Sequence, residues 1–116
     1  MRAPELRLRD ILEAADAIRE FVEEVETFEY FDRSVLYRSA LVYQLVIIGE
    51  ACAHLDDEFK DAHPEVPWDK MKRFRNFMVH QYFGVDYQEV WNSAHRMLDE
   101  IEDQVIAIMA KDFPDF

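Results

Sequence analysis

From about Pro4 to Tyr30 the apolar residues Leu8, Ile11, Ala15, Ile18, Val22 and Val25 recur at three- and four-residue spacing. Glu13, Asp16, Glu20, Glu23 and Glu24 fall between them, so the segment predicts one long amphipathic helix with an acidic, solvated face. Asp32 to Ser34 can cap a second helix. Val35 to Leu55 is apolar nearly all round, which predicts a central helix buried on several sides. Gly49 lies inside it. In a helix interior a glycine costs roughly 1 kcal/mol relative to alanine, so its expected use is to let another backbone approach closely. Glu50, in the same apolar setting, reads as a buried carboxylate that is either paired or raised in pKa, and the arginine or histidine of the segment 75–82 is a candidate partner.

Asp56 to Pro67 carries acids, two prolines and at most one helical turn, and reads as the main connector. Pro67 suits the first position of a third helix, with Asp69 in its first turn, running to about Phe83. Gly84 stands where a left-handed cap is expected. Asp86 with Glu89 resembles a capping box opening a last helix through Tyr87, Val90, Ala94, Met97, Ile101, Val105 and Ile108. The fold class is therefore all-α: an antiparallel up-down bundle of four helices, or five if the connector contributes one.

Composition narrows the function classes. A chain of 116 residues fits one domain, 1–116, and two glycines and four prolines are too few for an all-β fold. The one cysteine, Cys52, sits among apolar residues and reads as a core thiol in a reducing compartment. The N-terminal MRAPELRLRD lacks the apolar run of a signal peptide. Leu41 to Leu55, interrupted by Gln44, Glu50 and His54, falls short of the ~20 residues of a membrane span, so a cytoplasmic protein without a membrane partner is expected. A net charge of −12 argues against general nucleic-acid binding. Yet Lys70, Lys72, Arg73 and Arg75 place four of the thirteen basic residues in one short window.

Two glycines so far apart exclude a phosphate-binding loop, and one cysteine excludes a cysteine zinc site. Glu50 with His54 and His95 with Asp99 stand four apart, unlike the three-residue Glu-x-x-His spacing of di-iron bundles, so neither metal nor cofactor is expected. His63, beside Pro64, reads as a surface or turn residue. His80 remains, with Arg75, Asn76, Gln81 and Tyr82 around it. On an ideal helix Arg75 and Tyr82 share a stripe and Asn76 and His80 form an adjacent pair, but Arg75 and His80 diverge by roughly 140°. They converge only at a distorted helix end or across a two-fold axis. Histidine exchanges a proton near neutral pH and arginine's fork matches phosphate oxygens, a combination suited to phosphoryl transfer. In RNA the 2′-hydroxyl attacks the adjacent phosphate once a base takes its proton and a cation stabilises the developing charge. By spacing alone the same residues equally describe caps and ion pairs.

The run His63 to Trp91, HPEVPWDKMKRFRNFMVHQYFGVDYQEVW, with the R-x4-H-x-Y pattern at Arg75, His80 and Tyr82, resembles the HepT-like branch of the HEPN superfamily. The segment IIGEA, Ile47 to Ala51, is similar to that family's second helix. The resemblance implies a HEPN-like bundle that forms a homodimer with two motifs lining one cleft, acting on RNA as a metal-independent endoribonuclease. It further implies a toxin paired with a minimal nucleotidyltransferase antitoxin. Arg75 would stabilise the scissile phosphate, His80 would be general base or acid, Asn76 would help place phosphate, and Tyr82 would carry an AMP added by the antitoxin. Lys72 and Arg73 stand where the family commonly has Gly-Met, which would either strengthen RNA contact or only solvate the helix. An alternative from another class, favoured by the acidic charge, is a non-catalytic helical module that binds a nucleotidyltransferase and is modified by it.

Overall fold

A computed structural model of the chain describes residues 3–80 and 84–116, with the side chains of Val79 and His80 outside that description. The described residues form seven helices: α1 Pro4–Val25, α2 Phe28–Arg33, α3 Val35–His54, α4 Asp57–Ala62, α5 Trp68–His80, α6 Tyr87–Glu100 and α7 Glu102–Asp112. No strand occurs among the described residues, as the all-α, HEPN-like reading required.

Four boundaries differ from the periodic expectation. The first helix ends at Val25, because Glu26 adopts a left-handed φ of 64° and the Thr27 hydroxyl accepts the Tyr30 N–H at 3.2 Å to cap a separate short helix. That helix buries Phe31 against Trp91, with ring centroids 5.2 Å apart. The connector holds the whole of α4, capped by Asp56, which accepts the Phe59 N–H at 2.7 Å. Pro67 precedes the third long helix, which begins at Trp68. The last predicted helix breaks at Ile101, whose side chain is buried, so that α7 can follow α1.

Other sequence signals work as expected. Ser34 caps α3 by accepting the Tyr37 N–H at 3.1 Å, and Asp86 caps α6 by accepting the N–H groups of Gln88 and Glu89. The proposed capping box is only half formed among the described residues, since the Glu89 carboxylate is engaged by Ser93 and Arg96 instead. The cap expected at Gly84 involves residues 81–83, outside the described set.

Helix α3 is the centre, packed by α1 on one side and α5 on another. By length and hydropathy it would suffice to span a membrane, at 20 residues and mean hydropathy 1.3, contrary to the shorter span read from Leu41 to Leu55. Its packed sides supply the core instead: Leu41, Leu45, Ile48 and Cys52 join Leu8, Ile11 and Ile18 of α1 in one buried cluster. Burial pushes the Cys52 thiol up to about 12, because the thiolate would lose its hydration. Cys52 is therefore expected to react with a disulfide reagent at pH 8 only after denaturation. Stoichiometric labelling of the native chain within minutes would contradict the packing.

An aromatic cluster sets the start of α5. Phe59 lies 4.7 Å from the His63 ring and 6.1 Å from Trp68, and the Trp68 indole N–H donates to the His63 carbonyl at 2.9 Å. His63 opens a turn, its carbonyl accepting the Val66 N–H at 3.4 Å, as one of the two expectations had it, but its side chain is not on the surface. Its side chain is 13% exposed, and Nε2 lies 2.9 Å from Asp112 at the end of α7. Trp68, the first residue of α5, is thus an anchor: through His63 it ties the helix that carries the motif to the end of α7.

Candidate functional site

Helix α5 lies against α3 at Gly49. A Cβ there would come within 2.3 Å of the Arg75 Cβ and 2.8 Å of the Met71 carbonyl oxygen, so the two helices meet at a distance only glycine permits. This close approach brings the next residue, Glu50, to Arg75. The guanidinium Nη1 donates to Glu50 Oε1 at 2.7 Å, which answers the question of the carboxylate's partner. Glu50 is less buried than expected, at 41% side-chain exposure, because it sits on the open edge of the α3–α5 seam, whereas Arg75 is at 22%.

His54, one turn on, places Nδ1 2.8 Å from the Glu50 carbonyl oxygen and 3.5 Å from Glu50 Oε2. The Glu50–His54 pair is therefore part of an ion-pair edge. The other spaced pair is also accounted for locally, since His95 Nδ1 lies 2.8 Å from the Trp91 carbonyl. Among the described residues no group of side chains forms a metal-binding cluster.

The basic window does not act as one patch. Lys70 reaches across to Glu100 on α6 at 3.7 Å, and Arg75 is held by Glu50. Lys72, Arg73 and Asn76 are exposed, and neither Lys72 nor Arg73 makes an ion pair among the described residues. Helical spacing separates them further: Arg73 stands roughly 160° around α5 from Arg75. Arg75 faces α3, while Arg73 lines a groove between α5 and α6. His80 closes α5, its backbone a turn and a half beyond Arg75. The part assigned to Tyr82 falls outside the described residues.

The sequence reading missed a polar network on α6. The Ser93 hydroxyl donates to Glu89 Oε1 at 3.2 Å, and Arg96 Nη2 donates to the same oxygen at 2.5 Å and to Ser93 Oγ at 3.1 Å. Its signal was present as Glu89, Ser93 and Arg96 at i, i+4 and i+7, one stripe of a helix.

A bundle of helices in which a glutamate on one helix holds an arginine on its neighbour defines an all-α protein of the kind the sequence pattern predicts. The chain belongs to the family described as Ribonuclease HepT-like, which matches residues 11–108. A protein of Thermococcus cleftensis named "Probable ribonuclease HepT" is 42% identical over 86 residues, covering 74% of this chain and 77% of its own. One of Caldanaerobacter subterraneus named "Putative RNase" is 35% identical over 112 residues, covering 97% and 99%. Another of Methanocaldococcus jannaschii with that description is 35% identical over 98 residues, covering 84% and 89%. No solved structure matches the chain.

Proposed function

We propose that the protein is a metal-independent endoribonuclease and the toxin of a toxin-antitoxin pair. The observation that carries this reading is the fixed guanidinium of Arg75. Glu50 binds Nη1 and the Nε–H is buried, so the guanidinium is held in place and its remaining Nη N–H groups are the donors for a phosphate. Asn76 and Lys72 are exposed on the same helix and add an amide and a second cation near the nucleotide backbone.

The chemistry follows from these groups. His80 takes the proton of a ribose 2′-hydroxyl, the oxygen attacks the adjacent phosphorus, and Arg75 stabilises the extra negative charge of the pentacovalent state. The P–O5′ bond breaks and the leaving oxygen takes a proton, leaving a 2′,3′-cyclic phosphate.

The roughly 140° between Arg75 and His80 on an ideal helix argues for two copies sharing one cleft. An exposed apolar face supports a homodimer. Tyr30, Val35, Leu36 and Tyr43 are each more than half exposed, and Leu36, Tyr43, Ile47, Glu50 and His54 follow helical spacing along one side of α3. A two-fold axis on that stripe brings Arg75 of each copy to the same face. A cytoplasmic site of action and a nucleotidyltransferase partner that transfers AMP to Tyr82 complete the proposal.

Incubation with single-stranded RNA in EDTA tests it. Wild type is expected to cleave and to leave cyclic-phosphate ends, while His80→Ala and Arg75→Ala remain folded and inactive. Equal cleavage by His80→Ala, or none by unmodified wild type, favours the second reading, a non-catalytic module for a nucleotidyltransferase. The net charge of −12 is the observation on that side.

A further inference from the structure

The groove between α5 and α6, about 400 Å³ in volume, lies on the side of α5 away from Glu50. Its floor is apolar, formed by Met71, Phe74, Met97 and Ile101. The Lys70–Glu100 ion pair crosses it toward one end. Phe77 lines it 44% exposed, three residues before His80 on the same helix. Arg73 stands four residues before Phe77 as a cation without an ion-pair partner among the described residues. Opposite, the Glu89 carboxylate is held by Ser93 and Arg96, both through Oε1.

On a chain of net charge −12 this groove is locally cationic, with Lys70, Arg73 and Arg96 against Glu89 and Glu100. An apolar slot with a semi-exposed ring, a cation at its edge and a fixed acceptor matches the three parts of a nucleotide.

We propose that this groove is the subsite for an unpaired base of the RNA substrate, with Phe77 stacking on the base, Arg73 contacting the neighbouring phosphate and Glu89 accepting from an exocyclic amino group. The inference rests on the ribonuclease reading and adds a site that selects a base held on the face of α5 away from Arg75, at a distance from the scissile phosphate. Helix register explains why α5 serves both purposes: one side carries Arg75 and the opposite side Arg73 and Phe77. Adenine and cytosine offer the amino group that Glu89 can accept, and uracil does not.

Binding of fluorescein-labelled hexamers of adenylate, cytidylate and uridylate to the full chain, in the His80→Ala background, tests the subsite by fluorescence anisotropy. Phe77→Ala is expected to weaken the adenylate and cytidylate complexes roughly tenfold, and Phe77→Trp to restore them. Arg73→Gln is expected to weaken all three and reduce the salt slope by about 1. Glu89→Leu is expected to erase the preference over uridylate. Ile106→Ala, an exposed apolar truncation on α7, serves as the control and leaves all three affinities unchanged. Unaltered affinity in Phe77→Ala overturns the subsite, and if wild type still cleaves RNA the ribonuclease reading stands without it. Loss of dimerisation in Phe77→Ala with unchanged RNA affinity also overturns it, by making the groove a protein contact. Absence of both cleavage and binding rejects the two together.

Discussion

Gly49→Ala is expected to lower stability by about 2 kcal/mol, although intrinsic helix propensity predicts a gain of about 1 kcal/mol. The reason is the identity of the atoms an added methyl meets. One is the Arg75 Cβ at 2.3 Å, fixed to the backbone, and another is the Met71 carbonyl oxygen at 2.8 Å, part of the backbone itself. Neither can swing away as the end of a long side chain would. Helix α5 must therefore move off α3, which is the chief neighbour holding it. In a domain of this size the loss corresponds to a melting temperature lower by roughly 10 °C. The same movement stretches the Arg75–Glu50 contact, so RNA cleavage should fall by more than the folded fraction accounts for. A melting temperature equal to or above that of wild type would sink the close-approach argument.

Arg19→Met is expected to destabilise by about 2–3 kcal/mol, and more at neutral than at acid pH. Glu102 is buried, at 7% side-chain exposure, and both its oxygens are met by the Arg19 guanidinium, with Nη1 to Oε2 at 3.0 Å. Removing the arginine leaves a carboxylate without its counter-charge in the seam between α1 and α7. Arg19 is itself 42% exposed, so solvent screening keeps the effect below that of a fully enclosed pair. The complementary change, Glu102→Gln, leaves an arginine that can turn to water, and about 1 kcal/mol is expected.

The sign of the pH dependence follows from the unpaired acid. In Arg19→Met the ionised Glu102 carboxylate has lost its counter-charge where water cannot replace it, and adding a proton removes that cost. Stability of the variant therefore rises relative to wild type as pH falls from 7 toward 4.5, and its deficit narrows. Urea unfolding at pH 7 and pH 5 checks this, and a deficit that is constant or grows on acidification rules it out.

Much of the scaffold was legible because burial imposes a helical period. Leu8, Ile11, Ile18, Leu41, Leu45, Val90, Met97 and Val105 are all in the core, and each lies in a periodic or all-apolar run. Local capping was legible at Ser34 and Asp86 for the same kind of reason, since each needs only backbone donors two or three residues away. Helix breaks at Glu26 and Ile101 were not, because an uninterrupted apolar period continues across a bend whenever both halves face the same core. The turn at His63 was legible but its inward side chain was not, because its partner, Asp112, lies almost half the chain away.

The site divides along the same line. Sequence singled out Arg75, His80, Asn76, Lys72, Arg73 and Tyr82 through the resemblance to the HepT-like family, whereas residue chemistry and helical spacing by themselves marked Gly49 as a point of close approach and Glu50 as a carboxylate that is either paired or raised in pKa. Only the tertiary structure decided that Glu50 takes Arg75, that Lys70 is bound to Glu100, and that Arg73 turns to a groove on the other side of α5. The physical reason is that spacing fixes angles about one helix axis, whereas a pair or a groove between helices depends on where the neighbouring axis runs. Here Gly49 brings α3 close enough to make that choice.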